Sequence, residues 1–515
     1  MSDNADLQSR LIESLKESTD FPGTDEKPVV IETHISTVFL AGDYAWKLKK
    51  PVNFGFLDFS SLEQRKHFCD EELRLNRRLA PELYLDVVKI TGSPEQPQFD
   101  GEGEVLEYAV KMRRFEQDEL FNNLLAANKL DDGLIRQVGR IAADFHAQAA
   151  RAGMDTPYGT AEAAFSPMQQ NFDQLRGLIT DQGQLNQLNE LERWTQQRYE
   201  ALRETLDQRK KDGFIRECHG DMHLGNIALI DGEVAIFDGI EFNDFFRWGD
   251  VMSEIAFLTM DLDHRGDTRH SNIVLNEYLE KSGDYVGLEL LRFYQVYRAM
   301  VRAKVSSFRL AQELSDAERS EVLEQYQGFV SLAEHYTRLD QPALILMHGY
   351  SGSGKTVISG KLAPALGAIR LRSDVERKRL NELSAESDAS AAIAAGIYSP
   401  EMTELTYRHL AGLGSTLLKS GFTVIIDATF LKKGQRDLFS GLAQAWLILD
   451  ISADAEDLRS NIRKRQDLDD ASDAGLEVLE HQLHSHDPLT DDEPVLSMRW
   501  DAELPVEEIC SRLNL

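Results

Sequence analysis

The stretch from Pro342 to Thr356, PALILMHGYSGSGKT, constrains the fold of this chain more than any other. An apolar, strand-like run leads into G-x-x-x-x-G-K-[ST], and a helical pattern, VISGKLAPAL, follows at once. Glycines in such a loop let backbone N–H groups approach a phosphate closely, and the N-terminus of the next helix adds a favourable dipole. This order of strand, loop and helix predicts an α/β unit with a phosphate-binding P-loop.

The residues after the P-loop continue to alternate between strands and helices. Three further strand-like runs are separated by helical segments, at 368–372, 422–427 and 445–451. Such alternation predicts a parallel sheet with helices on both faces. A length of 515 residues is too great for one core. Helical patterning gives way to the P-loop strand at 337–346, so we expect two domains, 1–339 and 340–515.

The P-loop motif assigns roles to its own side chains. We expect Lys355 to contact the β- and γ-phosphates of ATP and Thr356 to contact Mg²⁺. Asp427 ends a Walker-B-like strand, FTVIIDATF, and suits a water-mediated contact to the same ion. ATP and Mg²⁺ are therefore the cofactors expected of this half. The predicted phosphate cradle comprises Gly349, Ser351, Gly352, Ser353, Gly354, Lys355 and Thr356.

A second polar cluster lies in the first half, in HGDMHLGNIALIDGEVAIFDG at 219–239. The apolar runs on either side of the Asp-Gly pair at 231–232 predict a two-residue β-hairpin. Pairing outward from that turn places Asp238 next to Asn226, at the end where Asp221 also lies. Carboxylate and amide oxygens of this kind suit Mg²⁺. We predict that Asp221 is the base for an attacking hydroxyl and that Asn226 and Asp238 hold the metal.

This H-x-D-x-x-x-x-N motif, with the hairpin and the second aspartate, resembles the aminoglycoside phosphotransferase-like branch of the protein-kinase fold over most of 30–335. The resemblance implies a bilobal α+β domain, placed ahead of the α/β P-loop NTPase domain, with an ATP-anchoring lysine on a strand. Lys47 and Lys49 share one face of AWKLKK, so the sequence does not separate them; Lys47 is preferred. Glu72, rather than Glu71, is the expected helical partner. No G-x-G-x-x-G precedes the lysine, which leaves phosphate coverage undefined.

The segment RLRSDVERKRL carries a D-x-x-R, Asp374 to Arg377, directly after a strand. It resembles the acceptor-side pair of small P-loop kinases, a group that includes polynucleotide kinase, the zeta-toxin kinases and chloramphenicol phosphotransferase. The resemblance implies that Asp374 is the base for an acceptor hydroxyl and that Arg377 holds acceptor or phosphate; an N-cap aspartate on a basic helix is the alternative. Arg459 and Arg463, one helical turn apart, match a lid over the phosphates, with a solvated helix as the alternative.

Several other residues allow two interpretations. Asp250 either braces the catalytic loop or caps the following helix. His219 is expected to support the loop and His146 to be a buried packing residue. Arg298 and Arg302 fall on one helix face, where a solvated or salt-bridged surface is a simpler interpretation than a site for an anionic substrate. The histidines of EHQLHSHD lack a second ligand cluster, so no metal site is predicted there.

Composition narrows the class of partner. A net charge of −31, from 56 basic and 87 acidic residues, disfavours a broad nucleic-acid-binding role, because such proteins display basic stripes. No apolar run is long enough to cross a membrane, and the acidic, polar start predicts no signal peptide. Three scattered cysteines fit a reducing cytoplasm. Small molecules are the expected partners, and the oligomeric state stays open.

The chain as a whole resembles bacterial fusions of an aminoglycoside phosphotransferase-like domain with a P-loop kinase. We therefore predict a bifunctional, ATP-dependent small-molecule kinase in which each half uses Mg²⁺ and its own aspartate base. Two alternatives stay open. In one, a catalytically idle half senses nucleotide and regulates the other; in the second, the P-loop half is a 5′-hydroxyl polynucleotide kinase, which the negative charge opposes. The sequence identifies neither acceptor.

Overall fold

The computed structural model describes residues 3–311, 314–339, 341–381, 399–466 and 476–515. They form two compact units, each made of several chain segments. The first contains residues up to Leu134, Phe145–Gly177 and Thr195–Asp261; the second contains Ile135–Asp144, Leu178–Trp194 and Leu262–Leu515. Within the described residues, no helix combines the length and apolarity that crossing a membrane requires.

The first unit opens with a six-stranded antiparallel sheet of order β1-β2-β3-β6-β4-β5. Its strands are β1 Val29–Glu32, β2 Ser36–Ala41, β3 Tyr44–Lys49, β4 Tyr84–Ser93, β5 Gln96–Phe99 and β6 Val105–Arg113. Strands β2 and β3 form a hairpin, with Ala41 paired to Tyr44 across a two-residue turn. Side chains alternate along β3, as in any strand: Trp46 and Leu48 join an apolar core, while the lysines between and after them face the opposite side.

Two helices cover this sheet. Helix α1, Asp3–Glu17, contributes Leu11 and Leu15 to the core that contains Trp46. Helix α2, Leu62–Asn76, packs against β4 and β6 and supplies Cys69 to a second core. The side chain of Ser61 accepts the N–H of Gln64 and so caps the start of α2.

Six helices and two short sheets follow in the chain. The helices are α3 Phe121–Ala126, α4 Asp132–Gln148, α5 Ala161–Arg176, α6 Gln182–Lys211, α7 Asp244–Arg247 and α8 Val251–His264. Strands β7 Ile215–Glu217 and β10 Trp248–Asp250 form one pair, and β8 Ile227–Ile230 and β9 Glu233–Ile236 form the other. The β8–β9 hairpin is the predicted one: Asp231 and Gly232 have φ of 53° and 84° at its turn, as a type I′ turn requires.

The second unit places three helices ahead of a parallel sheet: α9 Thr268–Ser282, α10 Leu288–Ser307 and α11 Asp316–Thr337. The sheet has five strands in the order β12-β13-β11-β14-β15, and all four pairings are parallel. Its strands are β11 Ala343–His348, β12 Ile369–Arg372, β13 Val424–Asp427, β14 Ala445–Ser452 and β15 Val495–Arg499. Sequence patterning missed β15, because this short edge strand leaves Ser497 and Arg499 exposed.

Among the residues that the structure describes here, seven helices lie between or after these strands: α12 Lys355–Leu366, α13 Ser373–Leu380, α14 Pro400–Lys419, α15 Lys433–Asp437, α16 Ala455–Gln466, α17 Leu476–Ser485 and α18 Val506–Leu513. Both faces of the sheet are covered. Ile345 and Met347 join a core with α12 and α18, whereas Ile426 faces Gly414 of α14. The predicted fold class, a kinase-like α+β domain followed by an α/β P-loop domain, is confirmed.

Two candidate active sites

Two lysines of β3 share one glutamate of α2. Lys47 Nζ lies 2.8 Å from Glu72 Oε1 and 2.6 Å from Asp238 Oδ1. Lys49 Nζ lies 2.6 Å from Glu72 Oε2 and also contacts Glu241. The Lys47 side chain is 13% exposed and that of Lys49 only 1%. Lys47 is therefore the partly exposed lysine that contacts the predicted metal ligand Asp238, while Lys49 is an internal residue.

The charges of this cluster stabilise one another. Burial raises the pKa of the Glu72 carboxyl, but Lys47 and Lys49 outweigh it and lower that pKa to about 2. Burial opposes the charge of Lys47 as well, yet Asp238 and Glu72 hold its pKa above the ordinary value. For Glu241, burial prevails and raises the pKa. Lys47 is thus a positive charge held in place by two acids, as an ATP-anchoring lysine must be.

The β8–β9 hairpin brings the predicted catalytic loop and Asp238 to one end of the hairpin. Asn226 Nδ2 donates to the backbone oxygen of Asp221 at 3.0 Å and to its Oδ2 at 3.1 Å. The N–H of Phe237 donates to the Asn226 carbonyl at 2.9 Å. Asp238 follows with φ of 60°, and its N–H donates to the Tyr84 hydroxyl at 3.1 Å. A non-glycine residue in this region is strained by about 1–3 kcal/mol, a feature that clusters at functional sites.

Two acids of α8 hold the catalytic loop, and the sequence motifs missed both. Glu254 Oε1 accepts the N–H of Gly220 at 2.6 Å, and Asp261 Oδ2 accepts the N–H of Leu224 at 3.0 Å. The other oxygen of Glu254 lies 2.6 Å from His146 Nε2. Both acids are almost fully buried. Their signal in the sequence is that they interrupt an otherwise apolar helix, VMSEIAFLTMDLDH.

The structure also locates residues whose roles the sequence left open. Asp250 binds the Arg209 guanidinium through both oxygens, at 2.6 and 2.7 Å, and accepts the N–H of residue 252 at 2.9 Å, so it caps α8. His219 Nε2 donates to the carbonyl of residue 237 at 2.9 Å and supports the loop. The guanidiniums of Arg298 and Arg302 pack over aromatic rings, 5.4 and 5.8 Å from the ring centres.

The second site lies at the carboxyl ends of the parallel strands. A cavity of about 1560 Å³ is lined by the P-loop and by the predicted acceptor-side and metal residues, including Thr356, Asp374, Arg377 and Asp427. Asp374 Oδ1 lies 3.2 Å from Arg377 Nη1. Arg372, two residues before Asp374, is paired with Asp427 of the adjacent strand. Asp374 and Asp427 therefore lie at the same, carboxyl end of the sheet. The sequence missed Ser359, whose hydroxyl donates to Asp427 Oδ2 at 2.9 Å.

The predicted P-loop is packed tightly against neighbouring groups of the protein. Lys355 Nζ donates to the Tyr350 carbonyl at 2.7 Å and lies 3.4 Å from Ser353 Oγ. Gly352 has φ of 84°, and a Cβ there would lie 2.5 Å from the Leu458 carbonyl oxygen. Glycine is therefore required at this position. The backbone N–H of Ser351 donates to Gln482 Oε1 at 2.9 Å, so an oxygen already occupies one donor of the cradle.

The predicted lid arginines do not line this cavity. Arg459 pairs with Glu480 at 2.7 Å, and Arg463 is exposed. The same helix instead contributes Asn461 and Lys464 to the cavity wall, and Asn461 Nδ2 donates to the Gly352 carbonyl at 3.0 Å. A phosphate-binding role for the two arginines stays a prediction.

Two family models match separate parts of the chain. Residues 57–293 match the model of the phosphotransferase enzyme family, and residues 344–489 match that of an AAA domain. An uncharacterized protein of Mycobacterium tuberculosis (strain ATCC 25618 / H37Rv) is 30% identical over 410 residues, 79% of this chain and 80% of its own length. An uncharacterized protein of Mycobacterium bovis gives the same values.

Two solved structures resemble separate parts of the chain. A choline/ethanolamine kinase family protein from Mesorhizobium loti is 11% identical with a TM-score of 0.40, over 64% of this chain and 98% of its own. A sugar kinase from Janibacter sp. HTCC2649 is 22% identical with a TM-score of 0.28, over 34% of this chain and 95% of its own.

The fold, the two sites and the matched families define an ATP-dependent kinase. The chain belongs to the family of the mycobacterial proteins. It contains a phosphotransferase-family domain followed by a P-loop domain.

Proposed function

We propose that the chain is a bifunctional small-molecule kinase, with a separate phosphotransfer site in each half. The observation that carries the proposal is the completeness of both sets of residues. Each has a lysine for phosphate, Lys47 or Lys355, and an aspartate for the acceptor hydroxyl, Asp221 or Asp374. A nucleotide sensor would need the lysines but not the aspartates.

In the first half, Asp221 accepts the proton of the acceptor hydroxyl. The hydrogen bond from Asn226 Nδ2 orients its carboxylate and leaves Asn226 Oδ1 as a ligand atom. Asp238, whose side chain is 46% exposed, supplies the second oxygen ligand. These two oxygens fit Mg²⁺, which binds ATP phosphates through one or two carboxylates and keeps several waters. Bound Mg²⁺–ATP supplies the phosphoryl group and neutralises the charge that develops on it.

In the second half, Asp374 is the base, and the neighbouring Arg377 holds the acceptor or the transferred group. Thr356 and Asp427 fit a metal at the carboxyl edge of the sheet, and the hydrogen bond from Ser359 fixes the Asp427 carboxylate there. Lys355 binds the terminal phosphates. The acceptors of both halves are small hydroxyl compounds, and the net charge of −31 does not favour a nucleic-acid substrate. Three cysteines scattered along the sequence fit a reducing, cytoplasmic location.

The test uses the full chain with one site disabled at a time. Asp221→Asn removes the first base and Lys355→Met removes the second phosphate contact. We expect each variant to keep part of the Mg²⁺-dependent ATP consumption and the double variant to lose it. If either single change leaves ATP consumption unaltered and the other abolishes it, one half is a sensor. Transfer of labelled phosphate to 5′-hydroxyl oligonucleotides by the Asp221→Asn chain would instead identify a polynucleotide kinase.

A further inference from the structure

Helix α9 presents a polar stripe to the edge of the P-loop sheet. Asn272, Asn276 and Glu280 are spaced four residues apart and share one helix face. Strand β12 is an edge strand, so one side of its backbone has no partner strand among the described residues. Unpaired backbone groups at such an edge need other hydrogen-bond partners when they are buried.

The asparagines of the stripe supply those partners. Asn276 Nδ2 donates to the Ala368 carbonyl at 3.0 Å, and Asn276 Oδ1 accepts the N–H of Arg370 at 2.7 Å. Asn272 Nδ2 donates to the same Ala368 carbonyl at 3.1 Å. A single side-chain amide thus offers β12 both a donor and an acceptor, as a neighbouring strand would. Both asparagines are buried, so water does not compete freely for these bonds.

Glu280 extends the stripe to the end of β12. Its Oε2 lies 2.9 Å from Arg370 Nη2 and its Oε1 lies 2.7 Å from Arg372 Nη1. Burial opposes the charge of Glu280, but the Arg372 and Arg370 guanidiniums outweigh it and lower the pKa of this carboxyl. Glu280 is therefore ionised at neutral pH. Its backbone carbonyl also accepts a hydrogen bond from Arg379 of α13, at 2.6 Å.

These contacts hold the chain segment that carries the acceptor-side residues. Arg372 ends β12, and Asp374 and Arg377 follow on α13. All three line the cavity of the second site. The stripe on α9 therefore holds the segment at both ends, through Arg372 before Asp374 and through Arg379 after Arg377. The P-loop itself follows β11, the central strand of the sheet. Helix α9 also packs against α12, which begins at the P-loop, and Arg370 Nη1 donates to the Thr356 carbonyl at 3.4 Å.

We propose that the Asn272–Asn276–Glu280 stripe is a positioning element of the second site, one that sets the acceptor side of the cavity. The proposal rests on the proposed kinase function of the P-loop half. Under this proposal the second site depends on a helix that precedes the P-loop strand in the chain. That helix lies within the region matched to the phosphotransferase family.

The first test is independent of activity and uses amide hydrogen exchange in the full chain. Asn276→Ala removes the acceptor of the Arg370 N–H, so we expect exchange of that amide to accelerate at least tenfold. Asn276→Asp keeps an acceptor and should restore most of the protection. Glu277→Gln is the matched control, because Glu277 lies on the same helix but pairs with Arg136 and Arg140. Unchanged exchange at Arg370 in Asn276→Ala overturns the proposal.

The second test measures function in the full chain carrying Asp221→Asn, with Mg²⁺–ATP and Mg²⁺–ADP as probes. We expect Glu280→Gln to lower kcat for ATP consumption at least tenfold, to leave the affinity for Mg²⁺–ADP within threefold, and to be rescued in part by Glu280→Asp. An unchanged kcat, or a parallel loss of ADP affinity, overturns the positioning role. If the Asp221→Asn chain neither binds nor consumes nucleotide, the proposed function fails instead, and the exchange result still decides whether the stripe holds β12.

Discussion

Replacing Lys47 and Lys49 separately should show that Lys47 contributes mainly to catalysis and Lys49 mainly to the stability of the first half. Lys49 is 1% exposed and lies between Glu72 and Glu241. Lys49→Met leaves two buried carboxylates without this partner, and breaking a buried pair costs about 3–5 kcal/mol. A unit of this size loses about 2–4 °C of Tm per kcal/mol, so we expect a fall of roughly 6–20 °C.

Lys47→Met should lose less stability and more activity than Lys49→Met. Glu72 keeps Lys49, and Asp238 is 46% exposed and can be hydrated, so the cost is about 1–3 kcal/mol for one unpaired buried oxygen. Loss of the phosphate contact should lower kcat/KM by about 10²- to 10³-fold, the range for removing one preorganised charged donor. Lys50→Met is the control, because the Lys50 pair with Glu32 is partly exposed and such pairs contribute about 0–1 kcal/mol.

The assay combines thermal unfolding with ATP consumption in chains that also carry Lys355→Met, so that only the first site contributes to ATP consumption. Activity is compared at a temperature where Lys49→Met is still folded. The assignment is refuted if folded Lys49→Met loses ATP consumption while Lys47→Met keeps it. Equal loss of stability in both variants would refute the distinction between an internal lysine and a site lysine.

Three further predictions concern single residues. The pKa of Glu72 is lowered from an ordinary 4.5 to about 2, so ionised Glu72 stabilises the folded chain fully above pH 4.5 and this contribution is lost as pH falls towards 2. Glu72→Gln should therefore make Tm depend less on pH between pH 2 and 4.5. Gly352→Ala should weaken Mg²⁺–ADP binding in the Asp221→Asn chain at least tenfold, because the added Cβ would clash with the Leu458 carbonyl oxygen. Gly367→Ala is the control: the added Cβ has open space around it, so this change should cost about 1–2 kcal/mol of stability and leave the affinity unchanged. Asn226→Ala should raise the Mg²⁺ concentration needed for half-maximal ATP consumption in the Lys355→Met chain several-fold; an unchanged requirement would exclude Asn226 as a ligand.

Local signals in the sequence were sufficient for much of the fold. The Asp-Gly pair at 231–232 predicted the β8–β9 hairpin with its register, since this pair favours the two-residue type I′ turn, in which both residues have positive φ. The order of strand, loop and helix around Lys355 likewise predicted the P-loop strand β11, which the structure places between β13 and β14 in the parallel sheet. Both signals depend on residues close together in the chain.

Features that depend on distant packing were not predictable in the same way. Lys47 and Lys49 carry identical chemistry on one strand face, and only the positions of Asp238 and Glu241 distinguish them. The lid prediction relied on helical spacing, but spacing does not determine which face of α16 turns to the cavity. The stripe on α9 matches no motif, because its two asparagines bond to backbone groups at residues 368 and 370 and its glutamate pairs with arginines about 90 residues away in the sequence.

The central claim is that two catalytic sites operate in one chain, each with its own base. The most direct measurement is mass spectrometry of one metabolite mixture incubated with Mg²⁺–ATP and either the Asp221→Asn or the Lys355→Met full chain. The account predicts that each variant adds one phosphate to a different set of compounds, and that the wild-type chain makes both sets. A wild-type product set that one variant reproduces in full, while the other variant makes none, would contradict it.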